Sequence, residues 1–116
     1  MRQPPQRPTR QLFVYGSLKR GQRHHDELQS GGAKFLGEAW TEPGYALVAG
    51  PGDYVALARA DADSRVPGEL FEVTDALLQA LDAFEGEEYG RAVVRVTETS
   101  EKGPLRDSIA YVQKAR

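Results

Sequence analysis

The chain has 116 residues, enough for one domain with one hydrophobic core and too few for two. Hydrophobic residues make up 40% and charged residues 28%, an ordinary globular balance, and a formal net charge of -2 gives no electrostatic drive toward nucleic acid or an anionic membrane. No apolar run approaches the ~20 residues that span a bilayer, and the absence of cysteine excludes disulfides, thiolate catalysis and cysteine metal sites. The amino terminus is polar and proline-bearing rather than apolar, so no signal peptide is expected, and a reducing cytoplasm fits.

Residues 1–10 carry three prolines and no apolar side chain after Met1, a composition expected of a flexible tail ahead of a single domain over 11–116. The apolar run Leu12-Phe13-Val14-Tyr15 reads as a buried strand that stops at Gly16-Ser17, with a second glycine at Gly21. A short helical turn is expected over 24–29, closed by Ser30-Gly31-Gly32. Strands follow over 33–41 and 45–49 around the turn signal Pro43-Gly44, then over 54–58 after Gly50-Pro51-Gly52, and again over 66–73. Residues 75–85 form the one long helical pattern, with Thr74 as N-cap. Two last strands, 92–98 and 108–113, flank Lys102-Gly103-Pro104. Six or seven short strands around one main helix predict an α+β domain, a curled sheet or small mixed barrel.

Two segments bear on chemistry. A strand ending in a glycine loop, here Tyr15-Gly16-Ser17-Leu18, leaves backbone N–H groups able to converge on an anion or a carbonyl oxygen; the competing reading is a strand that ends at a glycine for steric reasons alone. On a helical wheel at about 100° per residue, Glu85 falls between Leu81 and Leu78, on the apolar face of the 75–85 helix. A carboxylate aimed at a core loses hydration, and the helix carboxyl end with Asp82, Glu87 and Glu88 nearby pushes the same way, toward a raised pKa. That is the shift a general acid/base requires. The competing reading is a helix-end glutamate that bends into water.

The remaining candidates have plainer readings. Ser17 lacks the Gly-x-Ser-x-Gly surround of a nucleophile elbow and reads as a turn former. His24-His25-Asp26-Glu27 has metal-binding residue types, but adjacent histidines fit one site poorly and there is no third histidine or cysteine. Lys19, Arg20 and Arg23 form a basic cluster whose default is solvated charge, with a substrate-carboxylate role as the alternative. Trp40, Phe71 and Tyr111 read as core, and Arg91 as a structural partner of Glu87 or Glu69.

The two segments together resemble the gamma-glutamylcyclotransferase-like family, including its AIG2-like and gamma-glutamylamine cyclotransferase members. Tyr15-Gly16-Ser17-Leu18 matches the family's Tyr-Gly-Ser/Thr-Leu loop, and the pattern continues through Lys19, Gly21 and His25. Leu81 to Gly86 matches Leu-Asp-x-x-Glu-Gly, and Tyr89-Gly90-Arg91 the following Tyr-x-Arg. The resemblance implies a mixed barrel with its pocket at one end, Glu85 as the catalytic acid/base, Tyr89 lining the pocket and His25 bracing the loop. It implies a gamma-glutamyl amide as substrate, 5-oxoproline and a free amine as products, and no cofactor or metal. The alternatives from other classes are a non-catalytic small-ligand module of the same fold and a gamma-glutamyl hydrolase.

Overall fold

The computed structural model describes residues 9–16, 18–49, 55–61, 63–87, 89–98 and 104–113. Along the chain, β1 (Thr9–Val14) leads to a short helix α1 (Asp26–Ser30) and the long strand β2 (Lys34–Thr41). A hairpin, β3 (Tyr45–Ala49) and β4 (Val55–Arg59), is followed by β5 (Pro67–Thr74), the main helix α2 (Asp75–Glu85), β6 (Tyr89–Glu98) and β7 (Arg106–Gln113). Five strands close into a barrel in the order β1-β5-β2-β6-β7, and β3-β4 forms a separate two-stranded sheet. All barrel pairings are antiparallel except the closure, where Leu12 of β1 lies beside Ile109 of β7 in parallel. The expected α+β small barrel is therefore the fold observed. No helix among the described residues is long and apolar enough to cross a membrane.

Strand alternation divides the core in two. Phe13, Leu70, Val94, Val96 and Ala110 pack with Tyr45 and Leu57 in one cluster, built from one parity of the barrel strands. The opposite parity, Leu12, Val14, Phe71, Val73 and Tyr111, packs under Leu77, Leu78 and Leu81 of α2 and Leu28 of α1. Strands β1 and β5 are thus buried on both faces, which explains their continuous apolar runs. Strand β6 has no helix over most of its outer face, so Val94 and Val96 are buried while Val93 stands 66% exposed.

Several boundaries differ from expectation for one reason: backbone pairing continues where side chains are polar. Thr9 and Arg10, read as tail, pair with Thr74 and Val73 and are part of β1; residues 1–8 lie outside the described residues. Strand β6 likewise begins at Tyr89 and β7 at Arg106, because Tyr89 pairs with Gln113 and Val96 with Arg106. The turn before α1 is a chain of tight bends, Lys19 N–H to Gly16 O, Gln22 N–H to Lys19 O and His25 N–H to Gln22 O, so regular helix starts only at Asp26.

Two glycines are required by the barrel. The β2–β5 register shifts between Phe35 and Gly37, a bulge accommodated by Gly37 at φ 152°, which leaves Leu36 against the inner cluster and Phe35 beside Phe71. At Gly68 of β5 an added Cβ would lie 2.3 Å from the Val14 carbonyl oxygen and 2.6 Å from the Phe13 ring. The Phe13 side chain occupies the space this glycine leaves.

Candidate active site

Helix α2 delivers Glu85 to the site. The Thr74 hydroxyl accepts from the Leu77 N–H at 3.2 Å and fixes where the helix starts. Three leucines, Leu77, Leu78 and Leu81, bury one face, and the periodicity that buries them carries Glu85 to the edge of the same face. Gly86, with φ 77°, turns the chain out of the helix immediately after Glu85, its N–H returning to the Asp82 carbonyl at 3.1 Å. Glu85 is half-buried, and burial raises its carboxyl pKa above the ordinary 4.5. Of the three causes the sequence suggested, desolvation is the one the structure supports.

Opposite Glu85 lies the carboxyl end of β1. A small pocket open to solvent is lined by Glu85 and by Phe13, Val14, Tyr15, Gly16, Leu18 and Tyr111. Tyr15 is locked in place: its hydroxyl donates to the Tyr111 carbonyl at 2.5 Å and accepts from the Leu57 N–H at 3.2 Å. Burial pushes its pKa up to about 12, and the charges of Glu85 and Tyr89 push the same way against the lowering effect of the Leu57 N–H. Tyr15 is therefore a neutral phenol at physiological pH, serving as a tie between β1, β7 and the β3–β4 hairpin.

The loop after Gly16 is anchored at two points. His25 Nδ1 donates to the Leu18 carbonyl at 3.0 Å, the bracing role expected of it. Glu69, 8% exposed, accepts from the Arg20 backbone N–H at 2.7 Å and from Arg20 Nε at 3.2 Å, while the guanidinium lies 3.5 Å over the Phe35 ring. Arg20 is thereby a structural residue. Lys19 lines a separate depression with Glu38, Trp40 and Glu69.

Other sequence candidates fall as follows. Ser17 lies outside the described residues. Tyr89 is buried in the helix-side core and borders a different depression, with Asp82, Gly86 and Arg91. Arg91 pairs with Asp82, not with Glu87 or Glu69: Nε and Nη2 donate to its two carboxylate oxygens at 2.9 and 2.6 Å. The reversal at Gly86 folds β6 back along the last turn of α2, and Glu69 is already taken by Arg20. Phe71 is core as expected; Tyr111 is core and pocket wall at once, its hydroxyl 2.7 Å from Asp82 Oδ1 and 3.1 Å from the Leu78 carbonyl. Phe13, Val14 and Tyr111 reach the pocket through the β1–β7 closure, a long-range pairing with no local signal, whereas Asp82 stood inside the quoted motif. His24 packs edge-on against Phe84 while His25 turns to Leu18, and among the described residues no three His, Asp or Glu side chains gather as metal ligands.

Residues 12–116 match the family model described as gamma-glutamyl cyclotransferase, AIG2-like. The chain belongs to this family. A gamma-glutamylaminecyclotransferase of Bos taurus is 38% identical over 101 residues, covering 81% of this chain and 60% of that protein. The Homo sapiens protein of the same name is 36% identical over 100 residues, 80% of this chain and 65% of its own length. The chain thus spans less than two thirds of these relatives. The crystal structure of an AIG2-like protein from Mus musculus superposes with a TM-score of 0.77 at 32% identity, covering 90% of this chain and 77% of that one. Family membership and barrel architecture agree.

Proposed function

We propose that this cyclotransferase-family chain cyclises gamma-glutamyl amides, releasing 5-oxoproline and a free amine, and that it does so in the cytoplasm. The observation that carries the reading is a half-buried carboxylate of raised pKa, Glu85, facing the glycine-bearing end of β1 across one pocket. The names of the cattle and human relatives support it.

In a gamma-glutamyl amide the α-amine can fold back onto the γ-carbonyl to close a five-membered ring. A pocket that holds the folded conformer makes the attack intramolecular, an advantage of several kcal/mol, about 7–11 in the best-oriented cases. Glu85 takes a proton from the α-ammonium and frees its lone pair. The amine nitrogen bonds to the γ-carbon, giving a tetrahedral oxyanion. Glu85 returns the proton to the leaving nitrogen as its bond to the γ-carbon breaks. It then takes the second proton from the ring nitrogen to leave the neutral lactam and passes it to the departing amine, which leaves as an ammonium. Backbone N–H groups of the loop that starts at Gly16 and runs through Leu18 are assigned to hold the glutamyl group and stabilise the oxyanion. Tyr15, fixed by its two hydrogen bonds, shapes the wall on which the substrate folds. The nucleophile belongs to the substrate, so these steps use no cofactor or metal.

A panel of gamma-glutamyl amides with different leaving amines, followed by mass spectrometry, tests the reading. Appearance of 5-oxoproline with stoichiometric amine from at least one member is expected. No 5-oxoproline from any member would contradict it.

A further inference from the structure

We infer that Asp82, Arg91 and Tyr111 form a three-residue clamp that sets the position of Glu85, acting as positioning residues for its proton transfers. This rests on the cyclisation reading of the site. The last turn of a helix is its least constrained part, since its carbonyls lack intrahelical partners. Glu85 is the last residue of α2, and α2 has no basic side chain in that turn. The missing cation comes from β6. Arg91 grips Asp82, three residues before Glu85, through the bidentate contact at 2.9 and 2.6 Å.

From the other side Tyr111 of β7 brings its hydroxyl to 2.7 Å from Asp82 Oδ1 and 3.1 Å from the Leu78 carbonyl. The same residue lines the pocket, and its backbone carbonyl receives the Tyr15 hydroxyl. Both walls of the pocket, the end of β1 and the end of α2, are therefore referenced to one residue. The Asp82 and Arg91 side chains are 44% and 36% exposed, a setting in which an ion pair adds little stability. What the pair fixes is direction: the helix end cannot rotate Glu85 out of the pocket without breaking contacts on two strands.

Tyr111→Phe keeps the ring and the carbonyl that anchors Tyr15 and removes only the hydroxyl. Asp82→Asn removes the charge at the centre of the clamp. Each variant should lower kcat about 10-fold or more while KM stays within about 2-fold, because the loop that holds the substrate keeps its own anchors. The double variant should lose no more than the worse single, since both act through one clamp. In parallel, hydrogen exchange at the Gly86 amide, which donates to the Asp82 carbonyl, should quicken about 10-fold while the Leu77 and Leu78 amides are unchanged. Should Tyr111→Phe fail to fold, Arg91→Lys, which keeps the charge but not the fork, should show the same kcat-only loss at smaller size. Unchanged kcat in folded variants, KM rising in step with the kcat loss, or losses that multiply would overturn the clamp. If the wild-type protein makes no 5-oxoproline, the activity reading falls and exchange decides: local loosening at Gly86 supports the clamp, whereas uniform loosening of α2 or none overturns it.

Discussion

At the scale of single residues, Glu85 shows a conflict between folding and chemistry. Its folded-state pKa is raised by burial, so folding favours the protonated carboxyl. That contribution is fully present below the ordinary glutamate value and is lost as pH rises through the raised one. Above that raised value the ionised form is a half-buried carboxylate that costs stability. Glu85→Gln keeps the shape and removes both the charge and the proposed proton-transfer function. Turnover should fall at least about 100-fold, the lower end for general acid–base catalysis. Melting temperature at pH 7 should equal or exceed that of the wild type, with the difference vanishing near about pH 4. A near-wild-type rate in folded Glu85→Gln would remove Glu85 from the mechanism, and a lower melting temperature at pH 7 would mean its charge is stabilising. The place of Glu85 on the apolar face was legible from helical periodicity, and its candidacy as acid/base came from the Leu81-to-Gly86 motif. The junction at Tyr111 was not, because its parallel neighbour in the barrel, β1, lies at the other end of the chain.

At the scale of elements, the strands and the main helix followed from local patterns, since turn residues and alternation are short-range signals. Helix α2 has the same bounds and the same cap that its sequence suggested. Strand ends were less legible, because Thr9 and Arg10 in β1 or Tyr89 in β6 join the sheet through backbone hydrogen bonds that no side-chain pattern announces. The tightest fit between elements is at Gly68, where β5 passes under Phe13 and Val14 of β1. A methyl group there would meet a backbone oxygen, which has no rotamer by which to move aside. Gly68→Ala should destabilise by about 1–3 kcal/mol, the usual range for overpacking, and should weaken substrate binding because Phe13 and Val14 line the pocket. Chemical denaturation with a parallel KM measurement checks this. A midpoint unchanged from wild type would show that β1 and β5 part without cost.

At the scale of the whole molecule, barrel closure between β1 and β7 and the packing of α2 across them create the pocket: neither the glycine loop nor the helix end forms a site alone. On the proposed reading Glu85 is the base and the glycine loop the cradle, and the reaction is one in which the substrate attacks itself. Blocking the substrate's α-amine is the most direct test. A free-amine gamma-glutamyl amide should yield 5-oxoproline, and its N-acetylated counterpart should be inert, with chelators without effect on the first. Because an acetyl group could also be excluded by size, product identity on the free-amine substrate decides. Direct release of 5-oxoproline is the expected result, and glutamate as the first product would show water as the nucleophile and contradict intramolecular cyclisation.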